Sequence, residues 1–245
     1  MKNHIISQKE LQEFIETNIQ SFHKKRIEKL YDLKIETLLK RKNPYLFKAK
    51  NQNTSHDLIK NILDAYLSSQ EEGIFGNFLE RLAIFVCERS FMGRKSTTEG
   101  IDLEFERDNV LYIVSIKSGP NWGNSSQIKK MTDFFSRAKK IRGGNLSKSK
   151  IIAVNGCCYG KEKSVDKGDY LKLCGQEFWE FISGINSFYI DIIEPLGHKA
   201  KERNEEFLIE YSKVINKFTL AFSRSFCSED GLILWEKLIQ FNSGK

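Results

Sequence analysis

Residues 101–118 read IDLEFERDNVLYIVSIKS and alternate apolar with polar side chains on both sides of Asp108-Asn109. The period of two is that of a strand. Asp-Asn is a pair that tolerates a tight turn, so the segment predicts an antiparallel hairpin over 101–107 and 110–118. A two-residue turn pairs positions whose numbers sum to about 217. Leu103, Phe105, Tyr112, Val114 and Ile116 then share one face. Asp102, Glu104, Glu106, Ile113, Ser115 and Lys117 share the other. Asp102 faces Ser115, with Lys117 one diagonal step away. An acid, a hydroxyl and an ammonium therefore converge at the open end of the hairpin, opposite a core-facing row.

What surrounds the hairpin follows from periodicity. SSQIKKMTDFFSRAKKI (125–141) predicts a helix that Gly143-Gly144 stops. KSKIIAVNGCCYG (148–160) predicts a short buried strand. Strand, helix and strand in that order imply a crossover and a mixed sheet. Residues 170–184 read as a short strand and then a helix. Upstream, Leu11, Phe14, Ile15, Ile19 and Phe22 recur at helical spacing within a helix over 7–41. NPYLFKAKN (43–51) interrupts it, because a residue before proline leaves the helical region. A second helix is expected from His56 to Ser69 and a third over 73–91. In the third, Phe75, Phe78, Leu79, Leu82 and Val86 form one apolar side. Ile84, Cys87 and Phe91 form another, with Glu80 among them. A helix apolar on two sides is buried between layers, which confines Glu80. From Phe188 to Phe226 the chain reads mostly as helix, and 232–241 closes it. The expected fold is α/β, a mixed sheet of about five strands flanked by helices. It forms a single domain with a helical section over 1–70, a core over 71–184 and a helical section over 185–245.

Composition excludes more than it selects. At 245 residues and 40% hydrophobic, the chain can bury a core. It has no apolar run long enough for a membrane span. MKNHIISQKELQEF turns polar too early for a signal peptide. The net charge of +7 suits a polyanionic partner, and equally an ordinary lysine-rich soluble protein. Five cysteines without a CxxC pair, and four scattered histidines, support neither a zinc site nor a Ser-His-Asp triad. Buried reduced thiols in the cytosol are the default.

Asp102, followed by a strand ending Ser115-Ile116-Lys117, suits metal-dependent phosphodiester hydrolysis. A phosphodiester repels hydroxide, so a divalent cation is needed to offset charge and activate water. Hard Mg²⁺ takes oxygen ligands. Asp102 can supply a carboxylate and Ile116 its backbone carbonyl, while Lys117 can orient the water or offset phosphate charge. The same two residues would also make a cross-strand surface ion pair, worth at most about 1 kcal/mol.

GID…SIK resembles the core of PD-(D/E)xK nucleases. Together with FGNFLE upstream, SGPNWGNSSQ after the lysine and GQEFWEFISG at 175–184, the chain resembles type II restriction endonucleases, more narrowly those that cut GGNCC-type sites. The likeness covers residues 73–184 and, more loosely, the C-terminal helices. It implies a Mg²⁺-dependent enzyme, with Mn²⁺ substituting, that hydrolyses double-stranded DNA to 5′-phosphate ends. It further implies a homodimer in the bacterial cytoplasm, as part of a restriction-modification system. Asp102 matches the family's metal-binding aspartate, Lys117 its catalytic lysine and Glu80 its helical acid near the metal. Ser115 stands where the second strand acid belongs, so that ligand must come from elsewhere. Glu80 is the first candidate, and Asp133 and Glu104 are weaker ones. Gln127 resembles a polar residue that faces the site from the following helix.

Contacts to DNA are expected around this core. In SGPNWGNSS, glycines allow close approach to phosphate, and Asn121, Asn124, Ser125 and Ser126 offer hydrogen bonds. The start of the following helix favours anions. Trp122 serves a sugar, a base or simply the loop's anchorage. Arg94 and Lys95 read as a phosphate clamp or as solvated cations. Lys129, Lys130, Arg137, Lys139, Lys140 and Arg142 load one helix with positive charge. Base reading is expected from 155–170, through Asn155, Tyr159, Lys161 and Lys163. Two competing functions stay open: a repair or structure-specific nuclease of the same fold, and a non-catalytic DNA-binding protein whose site has decayed, as Ser115 suggests.

Overall fold

The structure, a computed structural model, describes residues 6–145 and 150–245. His4 and residues 148–149 of the expected strand lie outside the described residues. In chain order the elements are α1 (Gln8–Tyr31), α2 (Ile35–Lys40), α3 (Pro44–Ala49), α4 (Ser55–Phe91), β1 (Arg94–Lys95), β2 (Leu103–Arg107) and β3 (Val110–Lys117). There follow α5 (Ser125–Asn145), β4 (Lys150–Cys157), β5 (Leu171–Cys174), α6 (Gln176–Ser183), α7 (Phe188–Asp191), α8 (Ile193–Gly197), α9 (Ala200–Phe226) and α10 (Trp235–Ser243). The chain packs as two compact units, Met1–Ile19 with Phe75–His198, and Gln20–Ile74 with Lys199–Lys245.

The first unit holds a five-stranded mixed sheet in the order β1-β2-β3-β4-β5. The hairpin forms as its alternation requires. Asp108 and Asn109 both take positive φ, 53° and 59°, the conformation of a type I′ turn. The register pairs Leu103 with Val114 and Phe105 with Tyr112. β3 and β4 are parallel and joined through α5, and β5 adds in parallel to β4. This is the expected α/β arrangement, a mixed sheet of five strands flanked by helices.

Both faces of the hairpin are covered. On one, Phe91, Phe105 and Tyr112 stack and Phe181 meets the last two edge-on, with ring centroids 5.0–5.7 Å apart, and the Arg107 guanidinium lies over three of these rings. On the other, α5 lays Met131, Phe135 and Ala138 over Leu111, Ile113 and Ala153. The face that carries Glu104 is therefore roofed, and Glu104 is only 2% exposed. Arg142, near the end of α5, donates to both of its carboxylate oxygens at 2.9 Å, and Ser96 donates at 2.6 Å. Arg94 approaches to 3.6 Å. Burial opposes the charge, yet these donors win and hold the carboxyl below the ordinary range.

The second unit is helical. Its core gathers Leu30, Leu38, Leu58, Ile59, Leu63, Phe218, Phe222 and Phe226. Helix boundaries differ from expectation at four places. The helix expected over 7–41 breaks after Tyr31 and resumes at Ile35. Residues 43–51 contain α3, because proline fits the first position of a helix and Asn43 caps it through the Tyr45 N–H. Residues 56–69 and 73–91 form one helix, since Gly73 and Gly76 cost only about 1 kcal/mol each within a long helix. Likewise α5 runs through Gly143-Gly144 to Asn145. Among the described residues no helix is long and apolar enough to cross a membrane. All five cysteines are reduced, and four are buried.

Arg142→Met strands a buried carboxylate. It should destabilise the fold by about 3 kcal/mol in denaturant titration, and Glu104→Leu added to it should recover at least about half of that.

Candidate active site

The register places Asp102 just outside β2, opposite the last turns of β3. Its N–H donates to the Val114 carbonyl at 2.9 Å. Its Oδ2 accepts the Ile116 N–H at 2.6 Å and the Ser115 hydroxyl at 3.4 Å. Lys117 ends β3, and its Nζ donates to the Ile116 carbonyl at 3.0 Å and lies 4.0 Å from Asp102 Oδ2. The two side chains are 29% and 25% exposed, too enclosed for a solvated surface pair.

Glu80 approaches from α4. Gly76, one turn earlier, lies against Ser118, where a Cβ would sit 3.5 Å from the serine's own Cβ. The helix thus passes the end of β3, and Glu80 follows one turn further along. Its side chain is 27% exposed, with Lys95 Nζ at 3.9 Å. Burial raises its carboxyl above the ordinary range, and the negative charge of Asp102 raises it further. Lys95, Lys117 and Arg81 pull the other way. Burial, and then the charge of Glu80, push the Cys158 thiol up to about 12. Glu80 and Asp102 therefore share one electrostatic space at the mouth of the hairpin.

The donors there are two carboxylates and the Ile116 carbonyl. All are hard oxygens, the set that Mg²⁺ or Mn²⁺ takes, and a cation between the carboxylates would relieve their repulsion. Among the described residues no cluster of three His, Cys, Asp or Glu is spaced for a metal, so a carbonyl and water would have to complete the shell. Ser115 is buried, and its hydroxyl braces Asp102. Glu104 is committed to Arg142 and Ser96, which removes it as the missing acid. Asp133 is exposed on α5.

The residues expected at DNA divide into three groups. Asn121, Ser125, Lys129, Lys130, Tyr159, Lys161 and Lys163 are exposed. Arg94 and Lys95 are exposed too, but each leans toward an acid, Glu104 and Glu80 respectively. Asn124 and Gln127 are exposed and close a reciprocal cap on α5. Asn124 N–H donates to Gln127 Oε1 at 3.0 Å, and Gln127 N–H donates back to Asn124 Oδ1 at 3.1 Å. Gln127 thus serves the helix start instead of turning to the carboxylates.

Two expectations are corrected outright, and a third is decided among its alternatives. Asn155 is 1% exposed inside β4 and cannot read a base. Arg142 is committed to Glu104 and leaves the basic helix face. Trp122 is half-buried, with Nε1 donating to Asn155 Oδ1 at 3.1 Å, so it anchors its loop.

Two supporting residues escaped the sequence reading. Lys172 donates to the Pro120 carbonyl and pairs with Glu162, both at 3.1 Å. Glu162 also accepts the N–H groups of Lys163 and Ser164 and pairs with Lys167. These bonds, led by Lys172, hold the Glu162 carboxyl down to about 2. A lysine in a half-buried strand was the available signal.

A depressed carboxyl stabilises the fold above its unfolded value and loses that contribution as pH falls through its folded value. Glu162→Gln should therefore melt below wild type at neutral pH. The gap should narrow from about pH 4.5 and vanish near about pH 2 in calorimetric scans.

The model of the family described as type II restriction endonuclease EcoO109I matches residues 9–204 of this chain. That span includes the whole sheet, α4, α5 and every residue named at the hairpin mouth. No curated protein matches the chain. With four-fifths of its length under one family model, the chain belongs to the EcoO109I family of type II restriction endonucleases.

Proposed function

We propose that this protein is a Mg²⁺-dependent site-specific endonuclease of the PD-(D/E)xK type, with Mn²⁺ able to substitute. It cleaves double-stranded DNA to 5′-phosphate ends, and its target is of the GGNCC type. The observation that carries the reading is the pairing of Lys117 Nζ with Asp102 Oδ2, 4.0 Å apart at the end of the hairpin past which α4 carries Glu80. Asp102, Glu80 and the Ile116 carbonyl hold the ion. When bound, a divalent cation lowers the pKa of water and offsets charge on the phosphate. Lys117 orients the attacking water and neutralises charge gathering on the phosphate oxygens. Ser115 and the Ile116 N–H keep Asp102 in place.

Binding falls to the exposed polar rim. Arg94, Lys95, Lys129, Lys130, Lys161 and Lys163 meet backbone phosphates, and the net charge of +7 favours that encounter. Asn121, Asn124, Ser125, Gln127 and Tyr159 are left to position the duplex, with Trp122 holding the loop before α5. A two-fold target calls for a homodimer. The enzyme works in the bacterial cytoplasm.

Ser115, in place of an acid, favours one competing reading, a DNA-binding protein with a decayed site. Metal titration separates the two, because a decayed site binds neither Mg²⁺ nor Mn²⁺ while DNA affinity persists.

Wild type should cut unmethylated phage DNA into discrete fragments in Mg²⁺. Asp102→Ala and Lys117→Ala should each lower the cleavage rate at least about a thousandfold while retaining DNA binding. Glu80→Gln should weaken Mg²⁺ binding at least about tenfold in calorimetry. Wild-type cleavage by both alanine variants would remove the site.

A further inference from the structure

Behind Lys117 lie two side chains that contact neither carboxylate. Asn155 sits in β4 in register with Ser115 and uses both ends of its amide. Nδ2 donates to the Ser115 carbonyl at 3.3 Å, and Oδ1 accepts Trp122 Nε1 at 3.1 Å. A buried amide in a strand reading KIIAVNGC is costly unless bonded. Here one of its bonds reaches out of the sheet to the loop after Lys117. The same loop is held again at Pro120 by Lys172. Gly119 lies under the Tyr159 ring, where a Cβ would come within 2.3 Å. The indole is thus fixed, and the Lys117 ammonium stands over its ring, 5.3 Å from the centroid.

We propose that Asn155 and Trp122 are positioning residues for Lys117: the indole face carries the ammonium at the hairpin mouth, and Asn155 fixes the indole. The proposal rests on reading Lys117 as the lysine of the cleavage step. The physical need is plain. Lysine has a long flexible stem, and its present restraint is the Ile116 carbonyl, an oxygen that a metal ion would also use. Once that oxygen is taken, the ammonium needs a restraint that does not compete for the ion. An aromatic face attracts a cation without offering it a hard ligand. Stacking on a base instead would force Trp122 to surrender both its Asn155 bond and Lys117.

The test compares steady-state kinetics of full-length variants on phage DNA in Mg²⁺. Trp122→Leu should lower kcat about tenfold with KM within about twofold, the size of a partly desolvated cation–π contact. Trp122→Phe keeps an aromatic face but loses the Asn155 bond, so its kcat should fall between those of wild type and Trp122→Leu. Asn155→Leu should move the Trp122 indole N–H resonance in ¹⁵N-edited spectra and lower kcat in the same way. Lys117→Ala, run alongside, separates the two ideas. If Lys117→Ala cuts normally, the active-site reading falls and takes the platform with it. If Lys117→Ala is inactive and Trp122→Leu keeps full kcat, the platform alone falls. A raised KM at unchanged kcat would make Trp122 a DNA contact and overturn the proposal. An unmoved indole resonance in Asn155→Leu would remove Asn155 from it.

Discussion

The bond from the Ile116 N–H to Asp102 Oδ2, at 2.6 Å, ties the two ends of the hairpin together, and everything at its mouth depends on it. It exists because a two-residue turn at Asp108-Asn109 sets the register. A slip of one residue in either arm would turn Asp102 away from Ser115 and Lys117. The parallel partner β4 then adds Asn155 beside Ser115, and α4 brings Glu80. One local turn thus controls which charges meet, although the charges come from three elements.

Local signals made much of this legible. The hairpin, its register and the crossover through α5 follow from alternation, turn residues and element order, and the structure has them at those positions. The family follows from short motifs spread over residues 73–184, within the matched span. Helix boundaries were less legible. Gly73, Gly143-Gly144 and Pro44 look like stops in isolation, but a glycine is only mildly unfavourable in a helix and a proline suits its first turn.

The polar residues around the site were the hardest to read. Glu104, Arg142 and Asn155 look like surface or groove residues in the sequence, and each is committed inside the fold. Single-strand alternation cannot reveal that α5 covers the second face of the sheet. Nor can it reveal that an arginine 38 positions away neutralises a buried glutamate. Long-range pairing decides whether a charge is available for chemistry, and that information lies in the tertiary structure.

The position of the Lys117 ammonium, hydrogen-bonded to Ile116 O and near Asp102, bears on ion selectivity. The mouth already carries a tethered monovalent countercharge. Sodium or potassium entering there would exchange one unit of charge for another and gain little by Coulomb's law. On the proposed reading, an ion of double valence would gain from Asp102 and Glu80 what the lysine cannot supply. Discrimination against the abundant monovalent salts of a cell would thus come from the occupancy of a side chain, without a rigid cage shaped to one ionic radius.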